Sequence, residues 1–133
     1  MLVDAGRNYV ARITTQQLTP LTLTMGLYTN AVTWGRGTLL TDLAEVAVSG
    51  YGRQDTGPWQ VPTVLAGGEA STTAPSVAFH NNAAAPVVVV GFFYTTSDGA
   101  FFLGGDAFAS PLTIPASGGV LNVFPQIVDT TYP

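Results

Sequence analysis

Pro86-Val-Val-Val-Val-Gly-Phe-Phe-Tyr-Thr95 sets four β-branched residues and three aromatics side by side, with no charge among them. Side chains of these kinds fit a pleated, buried surface. Pro86 at the start, Gly91 in the middle and Ser97-Asp98-Gly99 just beyond favour a strand ending in a tight turn over a helix. A strand apolar on both sides has to be covered on both sides. The stretch therefore predicts the central strand of the core, with the rest of the chain wrapped around it.

Downstream, Asp98-Gly99 is a hairpin signal, and Ala100-Phe-Phe-Leu103 is expected to return antiparallel to residues 90–94. Leu112-Thr-Ile114, the Ser117-Gly118-Gly119 turn and residues 120–124 read as a last hairpin. Upstream, residues 76–80 read as a strand with Val77 and Phe79 on one face, followed by a turn at Asn81-Asn82. Gly67-Gly68 marks a break. Pro58-Trp59-Gln60-Val61 reads as a short edge strand, because proline cannot donate to a ladder, and residues 46–54 as another strand. Residues 21–28 alternate with period two, which directs Leu21, Leu23 and Met25 inward and Thr22 and Thr24 outward. Trp34-Gly-Arg-Gly37 falls in a loop, and Asp42 with Glu45 three residues on resembles a capped helical turn.

At the start, Asp4 is placed to cap an amphipathic helix reaching about Ile13, with Tyr9, Val10 and Ile13 near one face. Residues 1–20 are then either a helix packed on the end of a sheet or an arm laid along a neighbour. Short strands punctuated by Gly, Pro and Asn predict an all-β fold. The expectation is one domain over residues 1–133, an antiparallel β-sandwich or jelly-roll-like barrel of about seven to nine strands with a short N-terminal helix.

Composition narrows the functional classes. Only 9% of the 133 residues are charged and 47% are hydrophobic, against about 25% charged in ordinary domains. So low a charge implies a surface partly covered by neighbours. The four basic residues, Arg7, Arg12, Arg36 and Arg53, stand against eight acids for a net charge of −4. That balance offers no patch to neutralise a row of phosphates, so nucleic acid is not an expected partner. The absence of cysteine excludes disulfides, thiolate metal sites and cysteine nucleophiles. Met1-Leu2-Val3-Asp4 lacks the basic start and apolar run of a signal peptide, and the longest apolar run, residues 83–94, is too short to span a bilayer. The expectation is a soluble protein made in the cytoplasm, without a membrane partner.

Little in the chain suggests chemistry. His80, the single histidine, lies between Phe79 and Asn81. A triad needs a base held by an acid beside a nucleophile, abundant Ser and Thr make chance partners trivial, and one unsupported histidine reads as structural. Asp42 and Glu45 are too close to be opposed glycosidase carboxylates. Asp98 is explained by its turn, and Asp106, after Gly104-Gly105, reads as another turn. Asp98 and Asp106 do not make a calcium loop. Gly50-Tyr-Gly52-Arg53 lacks the length and the Lys-Ser/Thr of a phosphate loop. The chain is thus expected to be a non-enzyme, with no catalytic residues, no cofactor and no metal.

The residues singled out for partner contact are Trp34, Arg36, Arg53 and Trp59, since Trp and Arg recur at interface hot spots. Each Trp reads equally well as a cap on the core. Arg53 reads as the partner of an acid if the sheet covers it, and as a subunit contact if not.

The order of these features resembles a group of small virion structural proteins of tailed bacteriophages. The features are a short helix like Asp4-Ala-Gly-Arg-Asn-Tyr9, a strand ending like Leu27-Tyr-Thr-Asn30, and Gly50-Tyr-Gly-Arg-Gln54 with Trp59 soon after. The aromatic strand and turn Val89-Val-Gly-Phe-Phe-Tyr-Thr-Thr-Ser-Asp-Gly99 follow, and then Pro115-Ala-Ser-Gly-Gly119 with a final strand. The chain departs from the pattern at Phe101-Phe-Leu-Gly-Gly105, where a more polar strand carrying Trp or Glu is expected. The resemblance implies a capsid cement or decoration protein, a homotrimer on the outer capsid surface of the virion that bridges subunits of the major capsid protein. Two other readings stay open: a tail or baseplate component with a receptor-binding role, and a carbohydrate-binding module, which needs coplanar exposed aromatics.

Overall fold

A computed structural model describes residues 1–15, 21–61, 63–64 and 70–129. The helix α1 (Asp4–Thr14) precedes nine strands: β1 (Leu23–Tyr28), β2 (Gln54–Asp55), β3 (Thr63–Val64), β4 (Ala70–Thr73), β5 (Val77–Asn81), β6 (Val87–Thr96), β7 (Phe102–Ile114), β8 (Gly119–Val123) and β9 (Gln126–Asp129). They form three antiparallel sheets ordered β2-β1-β6-β7, β3-β4-β9 and β5-β8. The architecture is all-β and sandwich-like, and the described residues form no closed barrel.

The run of valines and aromatics is β6, and it lies between β1 and β7 in the four-stranded sheet. Both of its faces are covered, as its apolar composition demands. On one face Met25 opposite Tyr94 and Leu27 opposite Phe92 join Phe79 of β5, Val123 of β8 and Tyr9 of α1. On the other, Tyr28, Phe93 and Phe102 pack with Val3, Leu43 and, from the loop after β1, Val32 and Trp34. The β6–β7 register is irregular between Val89 and Gly91. Across that irregularity the alternation changes phase, so Val87 and Val89 share a core with Phe92 and Tyr94, and Val90 faces the other core. A bulge of this kind bends a strand without ending it.

Close backbone approach explains two of the glycines on this sheet. A Cβ on Gly26 would meet the Phe93 ring, and one on Gly91 would meet the Tyr28 hydroxyl and the Asp106 carbonyl. The sheet's large rings are thus seated where a neighbouring strand has no side chain.

Several expectations are corrected. Asp4 does not cap α1. Val3 occupies the cap position with no side-chain hydrogen bond, and Asp4 instead pairs with Arg36. Val10 is 45% exposed, so the buried side of the helix is set by Gly6 and Tyr9, with Gly6 tight against the Leu103 backbone. Thr24 is buried rather than outward, because its hydroxyl meets that of Thr95 at 2.7 Å. Leu21, in turn, is exposed. Asp42 ends rather than starts its turn, a 3₁₀ turn at Leu40–Asp42, with Oδ2 accepting from Leu39 N–H at 2.8 Å.

Residues 46–54 make a strand only at their end, in β2. The segment nevertheless completes the β1 edge: Val46 N–H donates to the Leu27 carbonyl, and the Leu27 N–H donates to the Tyr51 hydroxyl at 2.9 Å. Residues 58–61 form no strand, although Gln60 N–H donates to the Thr73 carbonyl. The predicted return strand is much longer than residues 100–103 and reaches Ile114. Asp106 therefore lies within β7, opposite Phe92, and not in a turn. The last expected hairpin does not form, because Leu112 and Thr113 pair with β6 whereas Val120 to Val123 pair with β5. Ser117 and Gly118, both at positive φ, turn the chain from one sheet to another. The Gly67-Gly68 break lies outside the described residues.

Candidate functional site

The four residues marked for contact are all engaged within the chain, each with a different partner. Arg53 donates from Nε and Nη2 to the Glu45 carboxylate at 3.0 and 2.9 Å, and its guanidinium lies 5.2 Å from the centre of the Phe93 ring. Glu45 also accepts the Tyr51 hydroxyl proton at 2.9 Å, and the Tyr51 ring stacks on Phe79. The Gly50-Tyr-Gly-Arg-Gln54 segment is thus a clamp across the β1 edge. The hydrogen bond to Glu45 raises the pKa of Arg53. Burial holds the Tyr51 phenol well above its ordinary range.

Trp34 lies over the second core. Its Nε1 donates to the Tyr28 hydroxyl at 3.0 Å, and it packs near Phe102. Trp59 donates to Thr56 Oγ1 at 3.1 Å and meets Tyr94 edge to face. Arg36 makes an exposed pair with Asp4 at 3.1 Å, an arrangement worth little by itself. Spending these donors inside the chain is what a core cap does.

No catalytic constellation accompanies them among the described residues. His80 sits exposed in β5 opposite Val120. The described residues hold no group of three or more His, Asp or Glu side chains arranged to take a metal ion. Asp98 accepts from Thr96 Oγ1 and Ala100 N–H. Those bonds, led by the one from Thr96, lower its pKa.

The feature that sequence reasoning missed is a groove of about 520 Å³ between β7 and the β8–β9 corner. Met25, Phe92, Leu103, Phe108, Val123 and Ile127 line it, and among the described residues Asp106 is the only charged side chain on its wall. Phe124 forms its rim and is 76% exposed. The backbone beneath Phe124 is held firmly. The Tyr94 hydroxyl donates to the Gln126 carbonyl and accepts from the Gln126 N–H, both at 3.0 Å, and Ala74 N–H donates to the Pro125 carbonyl. Phe124 ended a predicted strand, and nothing in its neighbours separates an outward from an inward ring. Pro125 after it is the one available signal, since proline stops the ladder there.

Comparison with protein families, curated proteins and solved structures finds no match to this chain.

Proposed function

We propose that this chain is a virion structural protein of a tailed bacteriophage, a capsid cement or decoration protein that binds the outer shell and bridges major capsid subunits. The order of its sequence features supports the family. The observation that carries the associative role is Phe124, held exposed on a fixed corner beside an apolar groove, in a chain only 9% charged. A large apolar side chain exposed beside such a groove is the anatomy of a contact centre. Many equivalent sites on a shell let modest contacts add up, and a homotrimer suits the closed symmetry of such assemblies.

The contact surface in this reading moves from Trp34, Arg36, Arg53 and Trp59 to Phe124 and the groove. The tail and carbohydrate-binding readings drew on Trp34 and Trp59, whose N–H groups are committed to Tyr28 and Thr56.

The test is localisation of this protein on purified particles by immunogold labelling or density. Regular positions over the shell support the role. Label confined to the tail replaces it with attachment, and particles without the protein end the virion reading.

A further inference from the structure

Strand β7 lies at the edge of the four-stranded sheet and is 13 residues long. A strand of that length with a free edge is a template for pairing with another chain. Three features occupy this edge in succession. At its start the first residues of the chain lie along it: Val3 N–H donates to the Leu103 carbonyl, and Gly105 N–H donates to the Met1 carbonyl. Leu2 bridges Gly104 there. The Gly105 carbonyl also accepts from the Met1 amino group at 3.1 Å.

Those bonds show that Gly105 directs its N–H and C=O away from β6. Two residues on, Ala107 presents its N–H on the same side, because backbone groups repeat their direction with period two. Asp106 curls onto that donor, Oδ1 accepting from Ala107 N–H at 2.8 Å. Further along, the register jumps from Gly91–Ala107 to Val89–Leu112. Residues 108–111 therefore bulge, and Pro111 has no N–H to offer.

We infer that the Asp106 carboxylate guards the β7 edge against pairing with a second copy of this chain. Residues 1–3 and the bulge close the edge on either side of it. Ala107 is the point where an incoming strand finds a donor, and the Asp106 side-chain oxygen occupies that donor. Association of copies, which the proposed role requires, then runs through other surfaces. The inference does not depend on that role.

Sedimentation velocity over a hundredfold concentration range, on the full chain and its D106A and D106N variants, tests the guard. The side-chain oxygen of Asn still accepts from Ala107. The expected result is that D106A gains species of at least twice the wild-type mass as concentration rises, while D106N sediments as wild type. A folded D106A that sediments as wild type overturns the inference. So does a D106N that associates as strongly as D106A, since charge alone would then be responsible. Asp106 also lines the groove beside Phe124, so the comparison is repeated with F124S in all three proteins, which removes association through that face and leaves pairing at the β7 edge. If D106A fails to fold, amide exchange of Ala107 in the wild type and D106N decides. Protection in both supports the guard, and exchange at the rate of an open amide in the wild type overturns it.

Discussion

The guanidinium of Arg53 lies 5.2 Å from the centre of the Phe93 ring, and that ring fills the space beside Gly26. One aromatic side chain thus links the clamp at the β1 edge to a glycine within β1. Replacing Gly26 with Ala would drive a methyl into the ring. Phe93 is fully buried and has nowhere to swing, so overpacking of about 1–3 kcal/mol outweighs the roughly 0.5–1 kcal/mol gained from a stiffer unfolded chain. Gly26→Ala is expected to lower the urea midpoint, and an unchanged or higher midpoint would show that the ring yields.

Arg53→Lys keeps the charge but not the fork. The ammonium cannot bond both carboxylate oxygens of Glu45 in the same plane, nor lie flat on Phe93. A loss of about 1 kcal/mol is expected, the pair being only partly shielded from solvent. Equal stability of R53K and wild type in denaturant titrations would mean that the net charge suffices.

Tyr28, Tyr51 and Tyr94 all have raised pKa values, burial being the largest cause in each. The folded chain keeps these protons at a pH where the unfolded chain, with phenols near pKa ~10, has released them. The contribution of these phenols to stability is therefore fully present below about pH 10 and is lost as pH rises beyond it. The phenolate absorbance of these three should appear in one cooperative step together with loss of near-ultraviolet circular dichroism. Their complete titration with the dichroism intact would contradict this.

Phe124 and Phe93 make a contrasting pair. Phe93→Ala empties a buried site and should cost about 3–5 kcal/mol. Phe124→Ser removes an exposed ring and should alter stability by no more than about 0.5 kcal/mol. The same change should weaken shell binding at least tenfold in a particle sedimentation assay. Undiminished binding by a folded F124S would place the contact elsewhere.

The central strand was legible because four valines and three aromatics without a charge permit few other fates. The Asp98-Gly99 hairpin was legible from its turn chemistry, and the opening helix as an element, although its cap and the place of Val10 on its buried face were not. The extent of β7 was not. Gly104-Gly105 before Asp106 read as a turn, yet Gly104 makes room for Met1 and Leu2 at the sheet edge, and Gly105 for the β6 backbone and the Trp34 ring. The outward face assigned to Thr24 failed because two facing hydroxyls satisfy each other, which alternation in one strand cannot reveal. Of the contact candidates chosen for residue type, Trp34 and Trp59 direct their N–H groups into the chain, whereas Arg36 and Arg53 pair with Asp4 and Glu45 at the surface. A tryptophan's direction depends on which acceptor the fold brings near, and the Tyr28 and Thr56 hydroxyls are known as partners only after folding.

The arrangement of the large sheet also sets an order of events in time. β6 meets β7 through a short local turn, whereas its pairing with β1 joins Thr24 to Thr95, 71 positions apart. Closing so long a loop has an entropic cost that must be met before the contact rewards it. The hairpin should therefore assemble first, with β1 docking late onto an already formed β6. During synthesis β1 leaves the ribosome long before its partner exists. Until residue 96 has emerged, the apolar side of β1 has no strand to lie against, and the nascent chain is at its most vulnerable in that interval.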